Sequence, residues 1–142
     1  MLRTLMVLAA FLAPGLAQAA APATPFDPAK DYETTAMCYA VFLSLTPTFF
    51  TGTPAELAAL NVRGFRGYNR MKPYIEKASE WAPAFEGRAL EYHRGWDQAI
   101  TALGNQNDKL RIRMQMLAVA TYCETRMDGW GAPAFTGNPP GF

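Results

Sequence analysis

The sequence predicts an all-α protein: a four-helix, up-down-up-down bundle with a kinked second helix, stapled by one disulfide. Three observations lead there. Apolar residues recur at helical spacing through four successive segments. No segment alternates apolar and polar residues between hairpin-forming turns, as a sheet would require. The connections are short and carry Pro, Gly or Asn, which favours antiparallel neighbours.

An address segment precedes the helices. Met1-Leu2-Arg3-Thr4 is short and positive, residues 5–16 are largely apolar, and Ala17-Gln18-Ala19 places small residues where a signal peptidase needs them. A membrane helix would need about 20 apolar residues. This run is shorter, and Pro14-Gly15 breaks it. Residues 1–19 are therefore expected to be a cleaved export signal, with cleavage after Ala19 and Ala20 as the next site. Ala20 is not Cys, so no lipid anchor is expected. Residues 20–26 (AAPATPF) read as a flexible lead-in, residues 27–129 as the bundle, and residues 130–142 as a Gly- and Pro-rich tail.

The first helix opens at Asp27-Pro28, a capping acid followed by Pro at the first helical position. Its middle, CYAVFLSL, is apolar nearly all round, which predicts the most buried helix. Pro47 ends it near Leu45-Thr46, and Phe49-Phe50 pack in the turn that follows.

The second helix starts at Thr53-Pro54-Ala55-Glu56, a capping box with Pro in the first turn. Leu57, Leu60, Gly64, Tyr68, Met71, Ile75 and Ala78 form its inner stripe. Pro73 lies within it, removes one helical hydrogen bond and predicts a kink between Tyr68 and Met71.

The third helix starts near Pro83, with Phe85, Ala89, Tyr92, Trp96, Ile100 and Leu103 on one face and Gly104 as its expected left-handed terminator. Asn107 is the expected cap of the fourth helix, whose inner stripe is Ile112, Met116, Val119, Cys123 and Met127. Gly129 is expected to close it. Gly64, Gly67, Gly87 and Gly95 each cost about 1 kcal/mol against Ala inside a helix. They either admit a close neighbour or ligand, or sit on open surface.

The chain has 142 residues, enough for one domain with its own core. It carries 13 Lys+Arg and 12 Asp+Glu, and only Arg3 lies in the leader, so the remainder is near neutral. That argues against nucleic-acid binding, which calls for a basic excess, and against a polybasic membrane-surface protein. No membrane span is expected beyond the leader. Cys38 and Cys123 are the two cysteines, and an even count in an exported chain points to a disulfide between them.

Reactive constellations are scarce. With both cysteines bonded, no thiol nucleophile remains. Ser44 and Ser79 lack a Gly-x-Ser-x-Gly setting, and no phosphate-binding glycine loop occurs. Glu76, Glu80, Glu86 and Glu91 are spaced like a helix surface rather than a carboxylate pair. No catalytic residue, metal ligand set or cofactor is assigned. His93 is the sole histidine, with Glu86 and Asp97 at helical distance, too few ligands for an ordinary metal site. Haem held by His93 and one of Met37, Met71, Met114, Met116 or Met127 lacks a covalent attachment motif, and methionines at helical spacing commonly fill cores.

Arg63, Arg66 and Arg70 are the most suggestive charges. Their spacing places them on one side of the second helix, with Tyr74 continuing the line. They are either a solvated face or a site for carboxylate or phosphate. Lys109, Arg111 and Arg113 at the start of the fourth helix are an oddity, because cations oppose the helix dipole there. Tyr68, Tyr74, Trp81, Tyr92 and Trp96 concentrate in the second and third helices and could line a groove or fill a core.

The expectation is a periplasmic or secreted, non-enzymatic binding or accessory protein. It would act on a protein or small-molecule partner through a surface or groove on helices 2 and 3, with Arg63, Arg66, Arg70, Tyr74 and His93 as candidate contacts. One alternative is an all-helical enzyme that uses these arginines on an anionic small metabolite. Another is a haem or metal carrier.

Overall fold

The structure, a computed structural model, describes residues 24–141. The expected export signal and residues 20–23 of the lead-in lie outside the described residues. Four helices follow one another: α1 (Pro28–Ser44), α2 (Pro54–Trp81), α3 (Phe85–Ala102) and α4 (Gln106–Gly129). No strand is present among the described residues.

The caps read from the sequence form at the first two helices. The Asp27 carboxylate accepts from the Ala29 amide at 3.0 Å, with Pro28 beginning α1. At α2, the Glu56 amide donates to Thr53 Oγ1 at 3.3 Å and the Thr53 amide donates to Glu56 Oε2 at 2.7 Å, so both halves of the capping box are present. α2 is continuous through Pro73.

Two later boundaries differ from expectation. Asn105, not Asn107, caps α4: its Oδ1 accepts from the Asp108 amide at 2.8 Å, and its backbone is extended. Asn107 already lies inside the helix and cannot serve. Gly104 does not take the left-handed conformation, which among the described residues occurs at Gly131 and Gly141. Leu103 leaves α3 extended (φ −83, ψ 123), and the short link leads straight into the Asn105 cap. The left-handed terminator belongs to α4 instead. Gly131 (φ 75) follows Trp130, the Ala132 amide donates to the Met127 carbonyl and the Gly131 amide to that of Asp128. That is a Schellman closure.

α1 is the hub and packs against all three other helices. Its buried set, which includes Ala36, Cys38, Val41, Phe42 and Ser44, runs round the helix, as its apolar sequence predicts. Buried hydroxyls bond within α1: Thr35 donates to the Asp31 carbonyl and Ser44 to that of Ala40, each at 2.7 Å. α1 runs antiparallel to α2, since Phe26 meets Tyr74, Tyr39 meets Tyr68, and Leu45 lies against Gly64. It also runs antiparallel to α4, where Asp31 pairs with Arg126 and Cys38 bonds to Cys123. α3 leads from the end of α2 back to the start of α4, which completes the up-down-up-down order.

The disulfide joins Cα atoms 5.5 Å apart and 85 positions apart in sequence, with both cysteines fully buried. Closing a loop of that length stabilises the fold by roughly 4–5 kcal/mol through the unfolded chain's entropy. Around it lies the main core of Val41, Phe42, Leu45, Phe49, Phe50, Met71, Met116, Ala120 and Met127. A smaller cluster of Ala36, Ala78, Phe85 and Ala89 seats α3.

α1 and α2 approach closely at two glycines. A Cβ on Gly64 would stand 2.6 Å from the Phe42 carbonyl oxygen, and one on Gly67 would overlap the Phe42 ring. Gly87 and Gly95 face open space. The four helical glycines thus divide into two packing positions and two surface positions.

Candidate functional site

The arginines of α2 are one turn apart and share a face, and that face is not bare. Arg63 donates from Nε and Nη2 to both carboxylate oxygens of Glu124, at 2.8 and 2.9 Å, and from Nη2 to Thr121 Oγ1 at 2.9 Å. The hydrogen bond to Glu124 holds the Arg63 pKa above its usual value. Arg70 bonds Asp128 and donates to the carbonyls of Ala132 at 2.7 Å and Pro133 at 3.2 Å. Arg66, between them, donates to the Gly137 carbonyl at 3.1 Å and to Asn138 Oδ1 at 2.8 Å. Arg63 and Arg70 pair with carboxylates, whereas Arg66 has no carboxylate partner among the described residues.

The Gly- and Pro-rich segment after α4 is therefore held against α2. It has no regular structure, yet Trp130, Ala132 and Pro139 are buried. Phe135 rests edge-on against Phe65, with ring centroids 5.9 Å apart. Arg66 and Arg70 hold it chiefly through backbone carbonyls, which an irregular segment leaves without helical or sheet partners.

Between α2, α4 and this segment lies an open groove of about 570 Å³. Arg63, Arg66, Arg70 and Glu124 supply its polar atoms, and Ala59, Val62, Ala134 and Phe135 its apolar surface, with the buried Met127 beneath. Gly67 also lines it, so one glycine admits Phe42 on one side and borders the groove on the other.

Tyr74 lies at the edge of this region. It packs against Phe26 and Trp130, with centroids 4.9 and 5.1 Å away, and lines a smaller cleft of about 250 Å³ together with Arg70, Ala134 and Phe135. Phe26, the last residue of the lead-in, is thus packed into the fold.

His93 stands apart, on α3 facing α1. Its Nδ1 is 2.9 Å from Ser44 Oγ, and Phe49 meets the ring edge-on at 5.1 Å. It borders a cleft of about 430 Å³ with Tyr39, Leu43, Glu86 and Leu90. A serine nucleophile would need an accessible Oγ whose proton goes to the imidazole. Ser44 is fully buried, and its hydroxyl lies 2.7 Å from the Ala40 carbonyl, to which it donates, so it is not an exposed nucleophile.

Three of the aromatics of α2 and α3 contact α1. Tyr68 packs on Tyr39 and Trp81 on Tyr32, both in α1, and Tyr92 donates to Glu33 at 3.0 Å. Among the described residues no group of three or more His, Cys, Asp or Glu side chains is arranged to hold a metal. Met71, Met116 and Met127 are fully buried in the core. No described helix is long and apolar enough to cross a membrane.

The basic cluster at the start of α4 has a local explanation. Arg111 donates to Asp108, the acid of the first turn, at 3.0 Å, and Arg113 donates to the Phe49 carbonyl at 2.6 Å. A first-turn acid and a carbonyl left open beyond α1 offset the unfavourable dipole.

Sequence reading missed Glu124, Thr121 and residues 132–138 as parts of the arginine region. The available signal was the tail's composition, because Trp130 and Phe135 are costly to leave in water. Comparisons with protein-family models, with curated proteins and with solved structures find no match to this chain.

Proposed function

We propose that this chain is an exported, disulfide-stapled binding or accessory domain that works through a surface, with no chemistry of its own, and that the arginine groove of α2 is that surface. The carrying observation is convergence. Three arginines spaced along one helix face line a single groove of about 570 Å³, a volume ordinary for ligand sites. Export is supported by the leader-like residues 1–19 and by a buried disulfide, a bond that persists in oxidising compartments. The periplasm or the extracellular medium is the proposed location.

Two measurements test the reading. Intact mass of the protein from the cell envelope or medium should correspond to a chain that begins at Ala20; a chain that begins at Met1 in the cytosol rejects export. Pull-down from envelope extract should compare the wild type with Arg66→Glu at equal thermal stability. A partner retained by the wild type and lost by the variant is expected. An identical set of partners for both rejects the groove.

A further inference from the structure

We infer that Arg66 is a carboxylate-binding point, and that the groove takes a monoanionic ligand with an apolar body. The inference rests on the groove being the working surface. The charge on each guanidinium carries the argument. Glu124 neutralises Arg63 through both its oxygens, and Asp128 neutralises Arg70. Arg66 meets only neutral oxygens, the Gly137 carbonyl and the Asn138 side-chain amide. One positive charge is thus left uncompensated among the described residues of the groove.

The geometry of that charge suits a carboxylate. Nε and Nη2 of Arg66 hold the C-terminal segment, which fixes the plane of the guanidinium. The Nη1 group and the second Nη2 proton remain, and their shared edge matches the two oxygens of a carboxylate. Val62, Ala134 and Phe135 provide apolar surface beside it, and Phe135 is 38% exposed, available to cover a ligand. A phosphate dianion fits less well. It would bring a second negative charge into a groove that Glu124 already lines, with one free positive charge to meet it. The acid could come from a small molecule or from the C-terminus of a polypeptide.

The test is a titration of the disulfide-intact protein followed by backbone amide NMR. The probes are 3-phenylpropionate, its neutral amide, inorganic phosphate, and a short peptide ending in Phe with a free or an amidated C-terminus. The acid should shift Val62, Arg66 and Phe135. The neutral amide should bind roughly tenfold more weakly or worse, the loss expected for a charge-assisted contact. Arg66→Gln, compared at a temperature where its C-terminal segment keeps wild-type amide shifts, should lose the acid by a similar factor, and Arg66→Lys should retain part of the binding. The free-acid peptide binding more tightly than phenylpropionate would identify a polypeptide terminus as the source; the reverse order would identify a small acid. Equal binding of acid and amide, or full binding by Arg66→Gln, overturns the inference, as does phosphate binding as tightly as the acid. If Arg66→Glu abolishes partner capture while no carboxylate probe binds, the carboxylate assignment falls and the groove stands.

Discussion

Replacing Gly67 with Ala should destabilise the protein, whereas the same replacement at Gly95 should stabilise it. Both glycines lie inside helices, so both substitutions gain the propensity difference of about 1 kcal/mol. Their surroundings decide the sign. A methyl at Gly95 meets nothing within 4 Å. A methyl at Gly67 would overlap the ring of Phe42, which is 2% exposed and held on all sides by the core. Overpacking of a full core typically costs about 1–3 kcal/mol, because side chains and backbone must shift to admit the atom. The net for Gly67→Ala is then a loss of up to roughly 2 kcal/mol, and the gap between the two variants roughly 1–3 kcal/mol. Gly64→Ala should behave like Gly67→Ala, since its methyl would stand 2.6 Å from the Phe42 carbonyl oxygen and no rotamer change can move a backbone atom. Urea denaturation followed by helical circular dichroism reads the difference as a shift in midpoint at constant slope. Gly67→Ala as stable as Gly95→Ala would refute the close α1–α2 approach and, with it, the placement of the arginine face.

Three further outcomes follow. The native protein should show no titratable thiol until it is unfolded, because both sulfurs are buried and bonded, and Cys38→Ser with Cys123→Ser should lower stability by roughly 4–5 kcal/mol, read from the same denaturation curves. Asp31→Asn should cost about 2–3 kcal/mol in that assay, since it removes the charge that meets Arg126 at 2.7 Å beside the ring of Trp130, and the half-exposed guanidinium tempers the loss. Hydrogen bonding from Arg88 is the main cause that lowers the Glu33 pKa below its ordinary 4.5, with Tyr92 adding to it against a partial desolvation. The stability this carboxylate contributes is present above about pH 4.5 and disappears as pH falls through its lowered folded value. NMR titration should place the Glu33 midpoint low in the wild type and return it toward 4.5 in Arg88→Gln; an unchanged midpoint would show that the pair does not persist in solution.

Legibility varied with how local the physics was. Asp27 and Thr53 with Glu56 could be read because a cap bonds amides two or three residues away and needs no tertiary partner. Asn105 and Asn107 could not be separated that way, since both are good caps and the choice depends on where Leu103 leaves α3. The buried character of α1 was legible because an apolar circumference has nowhere to go but inward. The roles of the glycines were not. Gly64 and Gly67 carry the same letter as Gly87 and Gly95, and only the position of Phe42 distinguishes them.

The candidate site shows the same division. Residue spacing placed Arg63, Arg66 and Arg70 on one side of α2, which follows from helix geometry alone. Spacing says nothing about what faces that side, so the partners Glu124, Asp128 and the carbonyls of Ala132, Pro133 and Gly137 stayed hidden. His93 and Tyr74 fell into different clefts for the same reason.

By itself the sequence determined the helical class, the four segments, the starts of the first two helices, the pairing of the cysteines and the alignment of the arginines. Each of these depends on contacts within one helix turn or on there being a single possible partner. Tertiary structure alone decided that the C-terminal segment packs against α2, that Arg63 and Arg70 meet carboxylates while Arg66 meets neutral oxygens, and which glycines hold the helices together. Those outcomes depend on distances between residues some twenty to seventy positions apart, which folding sets and no local pattern encodes.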